Sequence, residues 1–233
     1  MIKILSTGNE EVDILLGGGI PFPSLILIEG EHGTGKSAVS AQFMKGMLDA
    51  ELKVLCITES TVKDYIERMK SITYDFSKPF LTNQMTIVPL YVYGTKWSEK
   101  ESSCLLPFIS GYINNQAKKN NCIVIDSLSF FTMHTDNENI LDFVKKCKHI
   151  VASGISIILT IHPNSLSKDI EMQIKSACDA YFLLDSKFIG NTPVKIMKVI
   201  KLIGSISKIE STFAFDVDTA FGIKIVPISM AST

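Results

Sequence analysis

Short apolar runs alternate with segments of helical period along most of the chain. Residues 24–29, 53–58, 85–93, 121–127, 155–161 and 181–184 are the apolar runs, and they predict six strands. A run that is almost wholly apolar suits a strand covered on both faces. Between the runs, residues 38–50 place Val39, Phe43, Met47 and Ala50 at helical spacing. Thr61 caps a second helix reaching about Ser71, with Tyr65, Met69 and Ile72 as its apolar face. A third runs to about Lys119, with Pro107 tolerated near its first turn. Thr135-Asp136-Asn137-Glu138 reads as a capping box. It opens a helix with Ile140, Leu141, Val144, Cys147, Ile150 and Val151 on one face, ended by Gly154. Residues 168–178 form another. Near the N-terminus, Asn9 or Thr7 caps a short helix to Leu16, and Gly17-Gly18-Gly19-Ile20-Pro21 turns into the first strand. Residues 75–83 and the polar stretch 94–103 around Trp97 read as loops.

Beyond Asp185 the rhythm changes. Residues 194–202, 212–215 and 222–227 are strand-like and separated by turns. They suggest antiparallel additions to a sheet edge. The whole predicts one α/β domain over residues 1–233, a doubly wound, mostly parallel sheet with antiparallel C-terminal edge strands.

Composition agrees. Apolar residues make up 46% of the chain, and mean hydropathy is +0.25. No uninterrupted apolar run approaches the ~18 residues of a membrane span. The N-terminus carries no signal-peptide core, so cytoplasmic residence is expected. Net charge is −1, which offers no general attraction to nucleic acid. Of the 23 basic residues only Arg68 is an arginine, and it alone can offer a bidentate guanidinium to phosphate. The five cysteines are scattered and lack C-x-x-C spacing, so they are expected to be small buried hydrophobes.

The chemistry lies at the strand ends. Gly30-Glu31-His32-Gly33-Thr34-Gly35-Lys36-Ser37 matches the phosphate-binding loop G-x-x-x-x-G-K-[ST], set between a predicted strand and a predicted helix. Its glycines let successive N–H groups curl round phosphate oxygens, and the helix N-terminus adds positive potential. Lys36 is expected on the β- and γ-phosphates and the Ser37 hydroxyl on Mg²⁺. Asp126 closes an apolar strand in the Walker B manner and is the second expected metal ligand. Glu59 ends another strand and can orient or deprotonate an attacking water. Its alternative role is to cap the following helix. His162 can hydrogen-bond a terminal phosphate, or be a surface histidine before proline. Apart from its place in the loop, His32 is read as structural, as are His134 and His149.

Thr7-Gly8 with Asp13, the Gly17–Pro21 turn, the phosphate loop, Ile57-Thr58-Glu59, Ile125-Asp126-Ser127 and Lys201-Leu202-Ile203-Gly204 together resemble the RecA-like P-loop ATPases of the KaiC type. Within them the chain is most similar to the FlaH (ArlH) family, ATP-binding accessory proteins of the archaellum, the archaeal flagellum. The resemblance implies ATP and Mg²⁺ as ligands. It implies a strand order with the His162 strand between the phosphate-loop strand and the Asp126 strand. It also implies a homo-oligomeric ring, a hexamer, peripheral at the inner face of the membrane. The implied partners are the motor ATPase FlaI, the membrane platform protein FlaJ and scaffold components. Two departures from the KaiC pattern imply slow hydrolysis at best. Ser60 stands where a second acid is common, and Ile203 stands where K-x-R supplies an arginine to the neighbouring site. Only Lys201 of that pair remains to act in trans. An active ring ATPase or kinase, with Glu59 as base, is the alternative; a DNA recombinase is disfavoured by the charge.

Overall fold

The computed structural model describes residues 2–90, 99–189 and 192–227. In chain order the elements begin with β1 (Lys3–Leu5), α1 (Glu10–Leu15), β2 (Ile20–Phe22), β3 (Leu25–Gly30), α2 (Lys36–Asp49), β4 (Val54–Thr58), α3 (Val62–Lys70), α4 (Ser77–Leu81) and β5 (Met85–Pro89). There follow α5 (Glu99–Gln116) with a 3₁₀ turn at Ala117–Lys119, β6 (Cys122–Asp126), α6 (Leu128–Thr132), α7 (Asn137–Ala152), β7 (Ser156–Ile161) and α8 (Lys168–Ala177). The chain ends in β8 (Ala180–Ile189), β9 (Thr192–Leu202), β10 (Thr212–Asp218) and β11 (Gly222–Val226).

Nine strands form one sheet in the order β11-β10-β9-β8-β3-β7-β6-β4-β5. From β8 to β5 every neighbouring pair is parallel. From β8 to β11 every pair is antiparallel. The chain thus has the RecA-like doubly wound fold with antiparallel C-terminal edge strands. β7 lies between β3 and β6, the order that the resemblance implies. The central strands β3, β4, β6 and β7 are buried at every position. Alternate residues therefore feed two cores. One face packs Val39, Phe43 and Met47 of α2 with Tyr65 and Met69 of α3. The other packs Leu106 and Ile109 of α5, Phe143 and Cys147 of α7 and Ile174 of α8. Parallel strands set their C-terminal ends on one rim, so Gly30, Thr58, Asp126 and Ile161 open on the same side.

The differences from the sequence reading are local. β1 and β2, three residues each, form a separate antiparallel pair. They are too short to show a period. Residues 77–81, expected as loop, form α4. α6 directly after Asp126 is a further unanticipated turn of helix. Both have five residues, less than two turns, where apolar spacing carries no signal. α5 begins at Glu99, so residues 99–103 are helix and not loop. Pro107 therefore sits in the helix interior, beyond the first turn, where its missing N–H removes a backbone bond. The expected strand end 91–93 and the loop at 94–98, with Trp97, lie outside the described residues. At α7 the cap is Asp136, not Thr135; its Oδ1 accepts the Asn139 N–H at 2.8 Å. The carboxylate is the better acceptor for an orphan N–H, so no Thr135 capping box forms. Phe143 joins the buried face of α7.

Four cysteines are buried as expected, but Cys104 is exposed. Burial pushes the Cys56 and Cys178 thiols up to about 12, and Cys122 and Cys147 higher still. A thiolate-seeking reagent at pH 8 is therefore expected to label one thiol per native chain and five after unfolding. Rapid labelling of more than one in the native protein would contradict this packing.

Candidate phosphate-binding site

The loop between β3 and α2 is built by three glycines with different tasks. A Cβ on Gly30 would stand 2.9 Å from the Leu184 carbonyl oxygen and 2.5 Å from Thr34 Oγ1, so β8 and the loop leave it no room. Gly35 caps α2 at φ +95°, and Gly33 has φ +80°, both conformations that side chains disfavour. A Cβ on Gly33 would meet nothing within 4 Å. The loop surface is thus open over Gly33, as a phosphate cradle must be. Thr34 Oγ1 donates to the Glu31 carbonyl at 2.8 Å and tightens the turn.

β3 is anchored just below the loop. Glu29 is buried, accepts from Tyr181 Oη at 2.7 Å and pairs with Lys175 Nζ at 2.9 Å. Lys175 also pairs with Glu171 at 2.5 Å. Burial would lower the Lys175 pKa, but the bonds to Glu171 and Glu29 outweigh it and the net shift is upward.

Lys36 folds back over the loop. Its Nζ donates to the carbonyls of Gly30 at 2.6 Å and Glu31 at 2.9 Å, and lies 3.3 Å from His162 Nδ1. These three partners use the three donors of an ammonium. An incoming phosphate must replace at least one. Burial lowers the Lys36 pKa, while the charges of Asp126 and Glu31 oppose the shift. An ammonium can only donate, so in this contact His162 Nδ1 is the acceptor. The direction of its shift agrees: burial first, then the charges of Lys36 and His32, lower the His162 pKa.

Asp126 is buried at the end of β6, and its Oδ1 accepts from Thr160 Oγ1 at 2.7 Å. Among the described residues no hydrogen bond is made to its Oδ2. Glu59, Ser37, Lys36, Asp126 and His162 all line one cleft of about 410 Å³. Enclosure by the cleft raises the Glu59 pKa, and the neighbouring Asp126 charge raises it further. Glu59 does not cap α3: Thr61 does, accepting from Asp64 N at 3.1 Å.

His32 is no bystander in the loop. Its ring lies against that of His162, tilted by 33° with centroids 3.9 Å apart, and it lines the cleft. His162 is held in place by a closed ring of bonds. Its N–H donates to Ser129 Oγ at 2.8 Å, Ser129 Oγ donates to Ser165 Oγ at 3.0 Å, and Ser165 Oγ donates to the His162 carbonyl at 2.7 Å. Of the phosphate-loop residues, Gly30, Glu31 and Thr34 shape the loop from behind and do not line the cleft, and Lys201 lies away from it altogether. Its Nζ donates to the Ser176 carbonyl at 3.0 Å.

Three lining residues have no motif. Arg68 comes from α3, and Lys195 and Val217 come from β9 and β10. Lys195 pairs with Asp216 at 3.1 Å. Composition singles out Arg68 alone; the other two reach the loop through antiparallel pairings that no local pattern announces.

The ATPase family KaiC matches residues 5–230. The archaeal flagellar ATP-binding protein FlaH of Sulfolobus acidocaldarius is 40% identical over 229 residues, 98% of this chain and 99% of the relative. The chain belongs to the FlaH family of KaiC ATPases. The FlaH of Methanocaldococcus jannaschii is 25% identical over 97% of both chains. A crystal structure described as flagellar accessory protein FlaH from the same organism superposes with a TM-score of 0.83 at 24% identity, covering 93% of this chain and 95% of that one. Membership in a P-loop ATPase family implies nucleotide binding. FlaH relatives match almost end to end, so the family core accounts for nearly all of this fold. Among the described residues no helix is long and apolar enough to cross a membrane.

Proposed function

We propose that the chain is the ATP-binding regulatory subunit of an archaellum motor complex. It binds ATP·Mg²⁺, cleaves it slowly or not at all, and docks to the motor according to occupancy. The observation that carries this reading is the convergence of Lys36, Ser37, Asp126 and Glu59 on one cleft over an open glycine loop. Gly30 to Ser37, with Glu31, His32, Gly33, Thr34 and Gly35 between, would cradle the phosphates. Ser37 and the unpaired oxygen of Asp126 would hold Mg²⁺. The donor set fits a hard cation, which takes oxygen ligands and keeps several waters.

The weak cleavage follows from what surrounds the cleft. Ile203 is exposed where the family pattern offers an arginine, and Lys201 is engaged with a backbone carbonyl. An arginine finger contributes factors of ~10³ to 10⁵ to such reactions. Docking would run through α6 and the His162 turn. A terminal phosphate that draws Lys36 and His162 apart pulls on the Ser129–Ser165 ring and so on α6. The partners are the motor ATPase FlaI, the platform protein FlaJ and scaffold components, with the chain itself in a homo-oligomeric ring, a hexamer, peripheral at the inner face of the membrane. The relatives' description as archaeal flagellar proteins supports this setting. Pull-down of FlaI by the purified chain tests it. Retention is expected with Mg·ATP and not with Mg·ADP; equal retention in both would contradict nucleotide-controlled docking.

A second reading, an active ATPase or kinase, has one observation in its favour: the raised pKa of Glu59 suits a general base. Glu59→Gln tests that role. The variant is expected to bind Mg·ATP within about threefold of the parent, because the amide keeps the shape. Residual cleavage should fall further. Lost binding would assign Glu59 a structural role instead.

A further inference from the structure

Arg68 is the only arginine in the chain, and it lines the cleft together with Lys36, Asp126 and Glu59. Its Cζ stands 5.6 Å from the centroid of the Tyr65 ring, and Tyr65 is itself fully buried. Cation–π contact on a fixed ring holds the guanidinium without consuming its donors. Among the described residues Arg68 makes no ion pair. The other cations of the cleft are engaged: Lys36 by two carbonyls and Lys195 by Asp216. The Arg68 charge is felt at Glu59, where it counters the upward pKa shift, although the two do not pair.

The sheet order gives Arg68 its end of the cleft. Going outward from the phosphate-loop strand β3, the sheet runs β7 with His162, β6 with Asp126, then β4 with Glu59, and α3 follows β4. Lys195 and Val217 come from the opposite side of β3. A nucleotide with its terminal phosphate on Lys36 and on a metal held by Asp126 would direct that phosphate toward the β4 side and its base toward β9 and β10. A planar guanidinium with its donors unspent on that side matches the geometry of a phosphate oxygen pair.

We propose that Arg68 supplies, within the same chain, the guanidinium that pairs with the terminal phosphate of a bound nucleoside triphosphate. It distinguishes tri- from diphosphate where Ile203 leaves the neighbouring chain without an arginine to offer. The inference rests on the nucleotide-binding reading above.

The test is to measure Kd for Mg·ATP and Mg·ADP in the full chain, Arg68→Ala and Arg68→Lys. Arg68→Ala is expected to weaken Mg·ATP by about 10- to 100-fold, the range of charge-assisted hydrogen bonds, and Mg·ADP by less than about twofold. Arg68→Lys should recover only a minor part of the loss, since a lysine offers no fork. Arg68 is exposed, so both variants should keep the parent melting temperature within a few degrees. Equal weakening of both nucleotides, or no weakening of either, would overturn the proposal while leaving the nucleotide reading intact. A parent chain that binds neither nucleotide would overturn both.

Discussion

Lys36→Ala is expected to weaken Mg·ATP binding by about 100- to 1000-fold, read by isothermal titration or equilibrium dialysis. Two effects add. The variant removes the buried ammonium that folds over the loop, where the surrounding protein excludes water and strengthens charge interactions. It also leaves the Gly30 and Glu31 carbonyls without their donor, so the loop loses the side chain that holds its curl. The Gly30 carbonyl is buried and the Glu31 carbonyl is not, so the one orphaned buried acceptor should lower the melting temperature by several degrees without unfolding the chain. Binding within tenfold of the parent would mean that the glycine loop does not receive the phosphates.

Asp126→Asn carries the second large effect, and it should appear only with metal present. The amide oxygen can still accept from Thr160 Oγ1, so the end of β6 keeps its shape. What is lost is one negative charge facing the cleft. Affinity measured with Mg²⁺ is expected to drop by about tenfold or more, whereas affinity measured in EDTA should stay level or rise slightly as repulsion falls. Equal losses with and without Mg²⁺ would show that Asp126 does not act through a cation. Removal of this charge also takes away a repulsion that raises the pKa of Glu59, so Glu59 should ionise at lower pH in the variant.

The phosphate loop could be read from sequence because its chemistry is contiguous: eight neighbouring residues, a buried strand before and a helix after. Asp126, Glu59 and His162 were legible for a related reason. Each ends an apolar run, and parallel strands place such ends on one rim. The pairing order itself followed from the family resemblance, since no local pattern says that β7 lies between β3 and β6. The elements that escaped were the shortest. β1, β2, α4 and α6 have three to five residues each, too few for a period. Residues 99–103 read as loop in the sequence because a polar first turn has no apolar stripe. Cys104 shows the limit of composition, which speaks of an average cysteine and not of one helix face. The contact of His32 with His162 leaves no mark in the sequence, because the two lie 130 positions apart. Lys195 and Val217 had no signal at all, for they reach the loop through the antiparallel edge of the sheet.

The most direct measurement is a single-turnover experiment. The purified chain, in excess and assembled, is mixed with γ-labelled ATP and Mg²⁺, and bound and cleaved label are followed together. Label is expected to bind one per chain at saturation and to remain uncut for many minutes. Cleavage at an ordinary enzymatic rate of ~1 s⁻¹ or more, or no bound label at all, would contradict a nucleotide-gated subunit.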